Sequence, residues 1–110
     1  MRLILFVILL IYPLIGYTES SGPRTINYIG CHKNDNTCYV TINGSPVGPA
    51  TCSSTSIRWN ETNDANGKAA LALLTTAFIA GKQVVFYISD NVCYTNQPQY
   101  PTFSYYNIAK

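Results

Sequence analysis

The sequence predicts a mainly β domain carrying one helix, with three strands before the helix and two after it. Three observations support this. Apolar and polar residues alternate over 37–43 (TCYVTIN) and 83–89 (QVVFYIS), the mark of half-buried strands. Once the N-terminus is set aside, only residues 66–81 (NGKAALALLTTAFIAG) form a long stretch with apolar residues at helical spacing. Clusters of Gly, Pro, Asn and Asp punctuate the chain between these segments.

Residues 1–20 read as a secretory signal peptide. Arg2 supplies the charged start, an unbroken apolar run follows over 3–11, and Pro13 to Gly16 end it. Thr18 and Ser20 stand at −3 and −1 of a cut after Ser20, and the run is short for a membrane span. Cleavage leaves one domain, residues 21–110, of about 90 residues. The expected location is secreted, periplasmic or extracellular, with no membrane span after cleavage.

The first strand is expected over 25–32 and a turn (KNDN) over 33–36. The second strand covers 37–43, with Cys38, Val40 and Ile42 on one face. The segment 44–49 (GSPVGP) cannot hold a ladder. A weaker third strand covers 50–59, and a polar connection leads into the helix. Asn66 or Asp64 is expected to cap the helix, and Gly81 with Lys82 to end it. The clearest strand, 83–89, places Val84, Phe86 and Ile88 on one face and Val85 and Tyr87 on the other. Residues 92–94 extend it briefly, 96–102 form a loop around Pro98 and Pro101, and 103–109 make the last strand. The order β-β-β-α-β-β is that of an OB-fold, a five-stranded Greek-key barrel. An α+β sheet with one helix packed on it has the same order.

In the helix, Leu71, Leu74 and Phe78 form an apolar stripe that Leu73 and Ala77 widen. The opposite side, with Ala69, Ala72, Thr76 and Ile79, carries no charge. A helix apolar nearly all round is buried on more than one side, and so short a chain cannot cover it twice. A partner is therefore expected on Ala69, Ala72, Thr76 and Ile79, and the chain is expected to be a homo-oligomer.

The composition excludes several functions. The net charge is +2, with 11% of residues charged, so no basic nucleic-acid surface is expected. Seven tyrosines fall after residue 20, and the chain is poor in charge, which suits a secreted binding surface. No cofactor is expected. His32 is the single histidine, and the cysteine spacing does not fit a zinc site. The carboxylates Asp35, Glu61, Asp64 and Asp90 fall in expected turns, and no nucleophile pairs with a base, so no enzyme is expected. Asn43-Gly-Ser45 and Asn60-Glu-Thr62 match glycosylation sequons. Tyr87, with Tyr28 and Tyr105, is expected to line a shallow sugar or protein site, since a tyrosine ring stacks while its hydroxyl bonds. Cys31, Cys38, Cys52 and Cys93 imply two disulfides in an oxidising compartment, with three possible pairings.

The run from Cys38 to Cys52, the stretch Ser56-Ile57-Arg58-Trp59 and the helix end Ala80-Gly81-Lys82-Gln83-Val84 resemble the B subunits of the subtilase cytotoxin and typhoid toxin group. The resemblance covers residues 28–108. It implies a secreted OB-fold that forms a pentameric ring, binds a host-cell glycan and delivers a catalytic A-type subunit. It implies a Cys38–Cys52 link closing the GSPVGP loop, which leaves Cys31–Cys93 to tie the first strand to the segment after the fourth. In that group a serine at the start of the first strand and an aromatic after the helix contact the sugar. Counting back from Gly30 puts the serine at Ser20 or Ser21, and Ser21 joins the expected site. Counting forward from Gly81 puts Ile88 at the aromatic position with Tyr87 beside it, a departure from the pattern. The alternative expectation is a secreted, disulfide-stabilised OB-fold module with a protein-binding or structural role.

Overall fold

The computed structural model describes residues 18–89 and 91–110. Most of the expected signal peptide, residues 1–17, and Asp90 lie outside the described residues. The chain forms β1 (Thr18–Arg24), β2 (Ile26–Cys31), β3 (Thr37–Ile42), β4 (Ser56–Asn60), α1 (Gly67–Ala80), β5 (Val84–Ser89) and β6 (Tyr105–Ile108). The strands make two three-stranded antiparallel sheets, ordered β1-β5-β6 and β2-β3-β4. The fold is thus mainly β with one helix, and the described strands do not close into a barrel.

One strand more than expected is present. The segment TESSGPR is polar and carries Gly22-Pro23, so nothing in its pattern announces β1. Pairing with β5 holds it, with an irregularity between Ser20 and Pro23. There the Ser21 hydroxyl accepts the Phe86 N–H at 2.9 Å and donates to the Gly22 carbonyl at 2.7 Å, standing in for a ladder bond. Thr25 alone separates β1 from β2, so one stretch of chain serves both sheets. Arg24 holds this junction: Nε donates to the Ser21 carbonyl, and Nη1 donates to the carbonyls of Asn43 and Ser45 at 2.7 and 2.8 Å. The expected strand at 92–94 is reduced to one bridge between Cys93 and Pro101.

The core lies between the sheets and α1. Val40, Ile42, Ile57, Trp59, Leu74, Val84, Phe86 and Ile88 are buried. Strand alternation is as expected on β5, where Val84, Phe86 and Ile88 are buried and Val85, Tyr87 and Ser89 half-buried. The helix corrects its expected stripe. Gly67, Ala70, Leu74 and Ala77 are buried, Leu71 is half-buried, and Leu73 and Phe78 are exposed. Small residues on the buried face let the helix approach closely. A Cβ on Gly67 would lie 2.5 Å from the Asn60 carbonyl oxygen and 2.8 Å from the Glu61 Cα, so the larger apolar residues turn away.

Neither expected side-chain cap forms. Asn66 has φ 58° and makes no side-chain cap bond. Asp64 Oδ2 accepts the Asn60 N–H instead, at 3.0 Å, while Asn60 Oδ1 accepts the N–H groups of Thr62 and Asn63. This buries the Asn60 side chain and leaves Asn43 as the exposed sequon asparagine. The C-terminus is as expected: Gly81 has φ 68°, and Lys82 donates its N–H to the Ala77 carbonyl at 2.9 Å.

The expected disulfide pairing is overturned. The bridges are Cys31–Cys38 and Cys52–Cys93. Cys31 and Cys38 are direct partners in the β2–β3 ladder, which sets their Cα atoms 4.0 Å apart across the turn. Cys52, at the end of the 44–52 loop, is thereby left to fasten that loop to Cys93 after β5. Two formed disulfides are compatible with an oxidising compartment. No helix among the described residues is long and apolar enough to cross a membrane.

Thr37 and Tyr94 make a further buried tie, with their hydroxyls 2.7 Å apart. Tyr94→Phe should cost about 1–3 kcal/mol, because Thr37 Oγ1 loses its partner inside the protein. Urea unfolding measures this, and an unchanged midpoint would contradict it.

Candidate functional site

The β1-β5-β6 sheet places its outward residues in cross-strand rows. Ser20 on β1 is the direct partner of Tyr87 on β5, and Tyr87 is the direct partner of Tyr105 on β6. The two rings stack, with centroids 4.4 Å apart and planes 13° from parallel. Tyr105 is 52% exposed, so the pair forms a ledge facing solvent. Ser20 accepts the Gly22 N–H at 3.0 Å, and its own hydroxyl proton has no acceptor among the described residues.

Tyr105 also stands at the rim of a cleft of about 930 Å³ between the first half of α1 and residues 92–106. Trp59, Leu73, Val92, Tyr94 and Tyr106 are among its lining. Phe103 braces the floor, with ring centroids 5.4 Å from Trp59, 6.0 Å from Phe86 and 5.3 Å from Tyr106. Burial pushes the Tyr106 phenol above its usual pKa, so it stays neutral at physiological pH. The ledge and cleft together offer rings, hydroxyls and amides, with Asp64 the one charged residue of the lining. Such a surface can bind a polar ligand with apolar faces.

Of the expected site residues, the structure brings together Tyr87 and Tyr105 and separates the others. Ser21 is spent on the β1 irregularity, whereas Ser20 occupies the row. Ile88, the position matched to an aromatic by the resemblance, is buried at 1% exposure. Tyr28 is 68% exposed but lies on β2, in the other sheet. On α1, Ala69, Ala72, Thr76 and Ile79 are all exposed, Ile79 at 77%. Thr76 donates its hydroxyl to the Ala72 carbonyl at 2.9 Å, so this face has no free hydroxyl proton. Leu73 and Phe78 add exposed apolar surface at 49% and 38%.

A second cluster escaped the sequence reading. His32, Tyr39, Arg58, Gln97 and Tyr100 meet on the outer face of the β2-β3-β4 sheet. Tyr39 and Arg58 are direct partners on adjacent strands, a pairing visible only once the register is known. Asp35 turns towards this cluster. The Thr37 N–H, and then His32, hold its carboxyl below the ordinary value of 3.8.

No protein family, no curated protein and no solved structure matches the chain.

Proposed function

We propose that this protein is a secreted, non-catalytic, glycan-binding subunit of an AB5-like toxin, forming a ring that carries a catalytic A-type partner to host cells. The observation that carries this reading is the row Ser20–Tyr87–Tyr105, which includes Ser20 and so requires cleavage ahead of β1 instead of after Ser20. It sets a serine of the first strand beside an aromatic of the strand after the helix, the two residue types that contact sugar in the resembling group. Stacked rings suit the C–H faces of a sugar, and flanking hydroxyls suit its polar edge. A glycan array on the disulfide-intact protein tests the reading. Retention of at least one glycan is expected, and a blank array would sink it.

The frame under this proposal is of OB type. Counting β1 and β2 as one bent strand gives five, with pairings first–second, second–third, first–fourth and fourth–fifth supporting that order. From the third strand, the Arg58 N–H donates to the carbonyl of Pro101, in the segment ahead of the last strand, at 3.0 Å.

The ring follows from α1. Ala69, Ala72, Thr76 and Ile79 form an uncharged outward face that a neighbouring copy covers, with five copies as the resemblance implies. Sedimentation at micromolar concentration should give a pentamer, and a monomer would contradict the ring. Glu at Ala72 and Thr76 should disperse it by placing like charges at each interface while each subunit stays folded. The alternative, a secreted module with a protein partner or a structural role, would use the same helix face. It predicts a blank array.

A further inference from the structure

Arg58 is half-buried, and its surroundings are unusual for a cation. The guanidinium carbon lies 3.7 Å from the Tyr100 ring centre and 4.9 Å from that of Tyr39. Nε donates to Ser56 Oγ at 3.2 Å, Nη1 donates to Gln97 Oε1 at 2.7 Å, and Nη1 lies 3.4 Å from His32 Nε2. None of these partners is a carboxylate. Among the described residues no carboxylate pairs with Arg58, and the Asp35 carboxylate lies against His32 Nδ1 instead. Asp35 is occupied by His32 Nδ1 at 3.0 Å and by the Thr37 N–H at 3.2 Å. A partly desolvated charge without a counter-charge is costly. Ring stacking offsets part of that cost and fixes the guanidinium plane.

The Nη2 group makes no hydrogen bond among the described residues. No fully buried side-chain nitrogen there lacks a partner, so Nη2 is not fully buried. Its two N–H groups therefore sit on a held, positively charged plane bordered by His32, Tyr39, Gln97 and Tyr100. Residues 32–35, the outer sheet face and residues 97–100 converge around it.

We propose that the Nη2 edge of Arg58 is a binding site for a carboxylate group carried by a small polar ligand, framed by His32, Tyr39 and Tyr100. A planar, singly charged acceptor matches a guanidinium edge in geometry and balances its one charge. Because the side chain is already immobilised by three neighbours and two rings, little further ordering is needed on binding. The site lies on the other sheet from Tyr87 and Tyr105 and does not depend on the glycan reading.

The test is a nuclear magnetic resonance titration of the disulfide-intact protein with sodium acetate above neutral pH, against sodium chloride at equal ionic strength. Saturable shifts are expected at the Arg58 side chain and at the rings of Tyr39 and Tyr100, with Tyr87 and Tyr105 unmoved. Arg58→Gln should abolish the saturation, and Arg58→Lys should weaken it about tenfold by losing the planar edge. Shifts that do not saturate, that chloride reproduces, or that survive Arg58→Gln would overturn the proposal. Should Arg58→Gln fail to fold, the wild-type comparison of acetate with chloride decides by itself.

Discussion

Replacing Cys52 and Cys93 together by alanine should lower the unfolding free energy by about 4 kcal/mol, because that bridge closes a span of 41 residues in the unfolded chain. Removing Cys31 and Cys38, which span 7 residues, should cost about 2.5 kcal/mol on the same chain-entropy argument. The order of the two losses is the informative quantity. Thiol titration of the unfolded Cys52/Cys93 variant adds a second check. With Cys31–Cys38 intact it should show no free thiol, whereas the pairing Cys38–Cys52 with Cys31–Cys93 would leave two. Equal losses with two free thiols would contradict the observed connectivity.

Trp59→Ala should cost about 3–5 kcal/mol, the range for deleting a large buried aromatic. Trp59 is 1% exposed, packs on Phe103 and donates its indole N–H to the Gly67 carbonyl at 3.0 Å. It therefore joins β4, the start of α1 and the segment before β6. Its loss opens a cavity and removes the bond that holds the first turn of the helix. Urea unfolding with both disulfides intact measures the change, and a loss below about 1 kcal/mol would place the core elsewhere.

The elements that the sequence discloses are those whose burial follows a simple period. On β5 the alternation of Val84, Phe86 and Ile88 with Val85 and Tyr87 carries directly into the sheet. Gly81 ends the helix because it alone there takes a left-handed conformation without strain. The disulfides were not legible, since four cysteines allow three pairings and only the β2–β3 register sets Cys31 opposite Cys38. The buried face of α1 was hidden because apolar residues surround the helix. Contact between Gly67 and the backbone of 60–61 selects the side with small residues. At the site, Tyr87 and Tyr105 were legible as outward tyrosines of two strands. Their stacking depends on the β5–β6 register, and the exchange of Ser21 for Ser20 on the irregularity in β1. Arg58 reads as one cation in a strand until residues 97–100 fold over it.

The affinity of Tyr87→Ala for a glycan retained by the wild type, with Tyr28→Ala as control, tests the central claim most directly. The row Ser20–Tyr87–Tyr105 predicts a loss of about tenfold or more for Tyr87→Ala, as for a central aromatic contact, and wild-type affinity for Tyr28→Ala on the other sheet. Wild-type affinity in Tyr87→Ala would contradict the account.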